Sequence, residues 1–288
     1  MQQVAASDGG VIAYRDEGSR APEARAIVLL HGLMAHGGFF SAQAPLGRDF
    51  RLVSVDLRGH GGSRGGEAPS VDRAAADVAE LAATLDLRGV IVIGWSLGAT
   101  VMWRLLAGAE RGRFAGAVVI DMTPRVCNDS DWQLGLTPEA CAARTAMMRS
   151  DFDTFARGAA QNIFAPSRLA ARQKEAAWAA DAFAANDPDA IVAMWASLQR
   201  EDMRPLLRKL TLPTLVVHGA ESKLYGCDTA DHLQAALPNA RAILFERSGH
   251  APHLEEPERF NALVAEFAAK LPPVPAHASA KQEEQPCA

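Results

Sequence analysis

The sequence predicts an α/β fold in which a mostly parallel central sheet carries helices on both faces and is interrupted by an all-helical insertion. Three observations lead there. Short apolar runs alternate with Ala-rich, helix-compatible stretches, the pattern of parallel strands buried on both faces. One run, Val90 to Ile93, passes directly into Gly94-Trp95-Ser96-Leu97-Gly98 and then into a helical stretch from Ala99 to Ala107. Between Pro124 and Pro205 the strand-like runs stop, and Trp132, Met147, Met148, Phe152, Phe155, Phe164, Trp178, Phe183, Met194 and Trp195 accumulate instead.

Taken in order, strands are expected near 11 to 15, 26 to 30, 51 to 55, 90 to 93, 115 to 120, 214 to 218 and 241 to 245. This divides the chain into a core of residues 1–124 and 206–271, a helical cap of residues 125–205 and a tail of residues 272–288. The tail is proline-rich and then polar, and is expected to be disordered. Most aromatic and methionine side chains of the insertion are needed as the core of a small helical unit.

The 288 residues, 49% of them apolar, can bury one large domain plus an insertion. A net charge of -5 with scattered Lys and Arg excludes a phosphate-binding surface, so no nucleic-acid partner is expected. No apolar run is long enough for a membrane span, and the N-terminus has no charged head leading into an apolar stretch, which predicts a cytoplasmic protein. Cys127, Cys141, Cys227 and Cys287 form no CxxC pair and are read as reduced thiols. HExxH, a Walker loop and a strand-linked Gly-x-Gly-x-x-Gly are all missing, so neither a cofactor nor a metal is called for. The glycine-rich stretch from Gly59 to Gly66 lacks the Lys-Ser/Thr ending of a phosphate loop. It is read as a tight loop in which Asp56 and Arg58 make structural hydrogen bonds.

Ser96 carries the chemistry. A serine hydroxyl is a poor nucleophile unless its oxygen is exposed, a base is supplied and backbone N–H groups await a developing oxyanion. Gly-x-Ser-x-Gly between a strand and a helix meets the first need, because the sharp turn leaves no room for side chains at Gly94 and Gly98. A helix-capping serine would explain Ser96 but not both glycines.

With these residues in view, the chain resembles the α/β-hydrolase superfamily from residue 10 to residue 271. Ala26 to Leu33, with His31-Gly32, is similar to the family's strand and oxyanion loop, and Val55 to Ser63 to the loop after the next strand. Gly94 to Gly98 resembles the nucleophile elbow, and Ser248-Gly249-His250 to Pro257 the late histidine loop. The resemblance implies the α/β-hydrolase fold with an inserted cap, Ser96 as nucleophile and His250 as base. It also implies backbone N–H groups of Leu33 and Leu97 as oxyanion donors. His31 is then expected to hold the oxyanion loop, and His253, one turn beyond His250, to cap or pack.

The acid departs from the commonest family pattern. Where an Asp usually stands three residues past a glycine, Gly219-Ala220-Glu221-Ser222 offers a serine. A second family arrangement places the acid after the strand that follows the nucleophile helix, and Val119-Ile120-Asp121 fits it. A carboxylate there is costly unless paired, which orientation of His250 would supply. Asp121 is the leading acid, with Glu221 and Asp228 as alternatives. Trp95, Met122 and Trp132 are candidate pocket residues.

The resemblance implies a serine esterase acting on small to medium carboxylic esters or lactones, with a small-molecule ester as partner. Cofactor-free perhydrolysis of the haloperoxidase type uses the same triad and is the alternative. A small-molecule receptor on the same fold is a third reading. The sequence leaves the oligomeric state unknown.

Overall fold

The computed structural model describes residues 1–274. Eight strands form one sheet: β1 Gln2–Ala5, β2 Val11–Gly18, β3 Ala26–Leu30, β4 Arg51–Val55, β5 Val90–Trp95, β6 Phe114–Ile120, β7 Thr214–Gly219 and β8 Ala240–Phe245. Their spatial order is β1-β2-β4-β3-β5-β6-β7-β8. The β1–β2 and β2–β4 pairs are antiparallel, and every other pair is parallel. All residues of β3, β5 and β7 are buried, which is why the sequence shows them as continuous apolar runs. Strand β8 lies at the edge, and its partly exposed pattern follows from having a neighbour on one side.

All seven expected strands are present. The eighth, β1, was missed because Gln2-Gln3-Val4-Ala5 has one large apolar residue. Pairing with β2 across the Ser7-Asp8-Gly9-Gly10 turn, where Gly9 takes φ 84°, defines it instead.

The helices are α1 Val71–Thr84, α2 Leu97–Leu106, α3 Pro138–Ser150, α4 Phe152–Gln161, α5 Gln173–Ala184, α6 Pro188–Arg200, α7 Arg204–Leu207, α8 Asp228–Ala236, α9 Pro252–Glu255 and α10 Pro257–Ala269. Helices α3 to α7 lie between β6 and β7, and local signals start three of them. Thr137 accepts from the Ala140 N–H ahead of α3, Asp151 from the Thr154 N–H ahead of α4, and Asp187 from the Asp189 N–H ahead of α6. Proline opens α3 and α6, where a missing N–H costs nothing.

Two expectations change. Cys127 and Cys141 are joined in a disulfide, not reduced, with Cα atoms 6.5 Å apart. The Cys127–Leu136 bridge folds the loop ahead of α3 so that both cysteines meet, which spacing along the chain did not reveal. Pro272, the first residue of the supposed tail, accepts a hydrogen bond at its carbonyl from the Arg25 guanidinium and so is tied to the core. Residues 275–288, including His277 and Cys287, lie outside the described residues. Among the described residues no helix is long and apolar enough to cross a membrane.

Candidate active site

Strand β5 ends at Trp95 and helix α2 begins at Leu97, leaving Ser96 to make the whole turn at φ 52°, ψ -121°. This left-handed backbone costs a non-glycine residue of order 1–3 kcal/mol, supplied by the surrounding packing. The Ser96 N–H donates to the Ile120 carbonyl at 3.0 Å, fastening the turn to the end of β6. A Cβ at Gly98 would stand 2.1 Å from the Leu30 carbonyl oxygen, and one at Gly94 2.5 Å from the Ala99 Cα. Both glycines are there because backbone passes through the space a side chain would fill.

Ile120 is followed by Asp121, a second left-handed residue at φ 44°, whose N–H donates to the Val217 carbonyl. Its carboxylate is buried and fully engaged. Oδ1 meets His250 Nδ1 at 2.7 Å and accepts from the Ser222 hydroxyl at 2.8 Å, while Oδ2 accepts from the Gly219 N–H at 3.0 Å. His218 Nδ1 lies 3.5 Å from Oδ2. Burial works to raise the Asp121 pKa, but His218, His250 and the Gly219 N–H outweigh it and hold the carboxyl below its ordinary value. Glu221 faces elsewhere, accepting from the Ser167 N–H and hydroxyl, and Asp228 lies in the first turn of α8.

His250 is held at its backbone as well as its ring. Trp95 Nε1 donates to the His250 carbonyl at 2.7 Å. The buried Glu255 accepts from the Gly249 N–H at 2.6 Å and from the Ala165 N–H at 2.9 Å, tying the histidine loop to the helical insertion. Burial raises the Glu255 pKa against the pull of these two amides.

The loop after β3 faces the turn from the other side. His31 Nε2 accepts from the Leu57 N–H at 2.9 Å, so its Nδ1 carries the proton that reaches the Gly32 carbonyl at 2.7 Å. Burial, with smaller contributions from neighbouring groups, holds His31 well below the ordinary imidazole range, so it stays neutral and fixes the loop. Among the described residues, neither the Leu33 nor the Leu97 backbone N–H donates to another backbone group. Asp56 accepts from the Gly37 and Gly62 N–H groups, and Arg58 pairs with Asp77 and Asp8, so the glycine-rich loop is held by internal hydrogen bonds.

One pocket is lined by Ser96, His250, Leu33 and Trp95. The insertion supplies much of the rest, including Arg144, Met148, Phe155 and Trp195. Of the candidate pocket residues, Trp95 lies here and the other two do not. Met122 is buried in the core, and Trp132 packs against His232 and under Arg204, with its Nε1 donating to the Arg125 carbonyl. The tight loop ahead of α3 turns Trp132 toward α8 and away from the pocket.

His253 packs against Phe40, Trp95 and Phe260, and burial pushes its pKa to about 3. Sequence reasoning missed the engagement of Ser222 and His218 with Asp121. Its signal for Ser222 was the vacated acid position itself. Tyr225 and Arg144 were also missed, and no local motif marks either.

Comparison with known proteins bears on the family and the fold. The model of the alpha/beta hydrolase family matches residues 27–263. Pimeloyl-[acyl-carrier protein] methyl ester esterase of Nitrosomonas europaea is 31% identical over 242 residues, covering 81% of this chain and 92% of the relative. Two solved structures share the fold. An esterase from Exiguobacterium antarcticum superposes with TM-score 0.85 at 24% identity, over 93% of this chain and 98% of its own. A bromoperoxidase from Bacillus anthracis does so with TM-score 0.86 at 21% identity, over 93% and 100%.

Proposed function

The chain belongs to the α/β-hydrolase family, and from that premise we propose that it hydrolyses small to medium carboxylic esters or lactones through an acyl-enzyme on Ser96. The observation that carries the reading is the 2.7 Å contact between His250 Nδ1 and the buried Asp121 carboxylate, with His250 and Ser96 lining one pocket.

Ser96 Oγ attacks the ester carbonyl carbon and His250 Nε2 takes its proton. The carbonyl oxygen becomes an oxyanion facing the Leu33 and Leu97 N–H groups. As the intermediate collapses, the C–O bond to the alcohol breaks and His250 returns the proton to the departing oxygen. Water then repeats the sequence: His250 takes its proton, its oxygen bonds to the acyl carbon, and Ser96 leaves reprotonated. Asp121 holds the ring with Nε2 facing the serine and stabilises the imidazolium. Residues 125–205 act as the cap that shapes the substrate space, and the partner is a small-molecule ester. A cytoplasmic setting completes the reading, and the Cys127–Cys141 disulfide is the observation that opposes it.

The test is hydrolysis of p-nitrophenyl esters of increasing acyl length by the wild type and by Ser96→Ala, with circular dichroism to show that both are folded. Ser96-dependent turnover with a chain-length maximum is expected. Equal rates from the two proteins would overturn the reading.

A further inference from the structure

Arg144 lies on α3, three residues after the buried Cys141 and four before the buried Met148, and so on the helix face turned inward. Arg149 on the same helix is exposed, whereas Arg144 is partly buried and lines the pocket that holds Ser96 and His250. The other buried or partly buried arginines nearest in character have partners: Arg58 pairs with Asp77 and Asp8, Arg51 pairs with Asp16, and Arg25 donates to the Gly89 and Pro272 carbonyls. Among the described residues Arg144 makes no ion pair and no hydrogen bond. Burial lowers its pKa, opposed by Tyr225, the one ionisable group that acts on it. A guanidinium nevertheless stays charged at any physiological pH.

An unpaired cation at the wall of an apolar pocket is costly to stability, and well-packed apolar residues would serve the fold better. Its neighbours in the lining, Met148, Phe155 and Trp195, give a ligand apolar contact without direction. One charged group among such side chains sets orientation and specificity, and the planar guanidinium fork matches a carboxylate with two parallel hydrogen bonds. Tyr225 lines the same pocket, its ring centroid 5.9 Å from that of His250.

Building on the reading of this site as an ester hydrolase, we infer that its substrates carry a second, free carboxylate that the Arg144 guanidinium binds while Ser96 attacks the ester. Arg144 is a specificity-determining residue, and monoesters of dicarboxylic acids, or esters of hydroxy acids, are the substrate class. The apolar side chains lining the same pocket are the contacts offered to the methylene chain that separates ester from carboxylate.

The experiment compares kcat/KM for monomethyl esters of linear dicarboxylic acids with methyl alkanoates of matched length, placing the anion on the acyl side. Acetate esters of hydroxycarboxylic acids beside acetates of matched alkanols place it on the alcohol side. The wild type is expected to favour the anionic member of one series roughly 10²-fold, the scale of a charge-assisted hydrogen-bonded pair. Arg144→Met collapses that ratio toward one, mainly through KM. Arg144→Lys, keeping a point charge without the fork, retains part of it.

Thermal melting separates binding from structure, since loss of an unpaired buried charge leaves the melting temperature of Arg144→Met unchanged or higher. A wild type without anionic preference, a ratio untouched in Arg144→Met, or preference for a phosphate-bearing ester over the carboxylate would each overturn the inference. Failure of the underlying reading looks different: neutral p-nitrophenyl butyrate would then be hydrolysed without dependence on Ser96.

Discussion

The two walls of the pocket follow different rules. The wall made by the sheet is fastened at fixed backbone positions: Ser96 by the Ile120 carbonyl, Asp121 by the Val217 carbonyl and the Gly219 N–H, and the loop after β3 through His31 to the Leu57 N–H. The wall made by the insertion is a set of side chains presented mainly by helices, among them Arg144, Met148, Phe155 and Trp195. The difference teaches where reaction type and substrate choice are encoded. On the reading proposed above, the sheet side confines what can react, and the helical side confines what can enter.

The comparison breaks first if the sheet side does not carry the reaction. Ser96→Ala is expected to lower kcat about 10⁵-fold or more without unfolding the protein. Asp121→Asn should follow at about 10⁴-fold, since the amide favours the wrong His250 tautomer. Steady-state kinetics on a p-nitrophenyl ester measures both. Glu221→Gln, whose carboxylate is spent on Ser167, should leave kcat intact.

The insertion side should instead show itself in stability. Replacing Cys127 and Cys141 by alanine opens a crosslink between residues 14 apart and is expected to cost about 3 kcal/mol, read by urea unfolding under non-reducing conditions.

Acid should act on the sheet side. His60 and His253 are fully buried, and burial above all lowers their pKa values to about 4 and about 3. In the unfolded chain each binds a proton near pH 6.5. Between those values the unfolded state binds more protons, so stability falls as pH drops below about 6.5. The slope reaches about 1.4 kcal/mol per pH unit for each histidine, and His60 stops contributing below about pH 4. Urea midpoints at stepped pH should show this slope, and His253→Leu should make it shallower. The smallest measurable loss of activity belongs to Ser222→Ala, which removes one hydrogen bond to a charged carboxylate and should lower kcat roughly tenfold.

The same division explains what the sequence disclosed. Gly94, Ser96 and Gly98 were legible because a side chain at either glycine would overlap backbone, so the constraint is written in residue type. Strands β3, β5 and β7 were legible for a similar reason: burial on both faces demands unbroken apolar runs. Asp121 could be found because a carboxylate ending a buried strand needs a partner. Ser222 stands where the commonest pattern has an acid, and it donates to Asp121 at the end of the neighbouring strand, a relation between β6 and β7 that no local pattern contains. Arg144 was illegible because an arginine on a helix reads the same whether it faces solvent or a pocket. Trp132 and Met122 show the converse, being large apolar residues near the site in sequence whose loops turn them away from it.

The most direct test of the central claim is intact-mass and peptide mapping of the protein quenched during turnover of a p-nitrophenyl ester, using Asp121→Asn to slow deacylation. The account predicts one added acyl group, located on the peptide containing Ser96 and missing from Ser96→Ala. Turnover with no acyl adduct, or with the adduct on another residue, would contradict it.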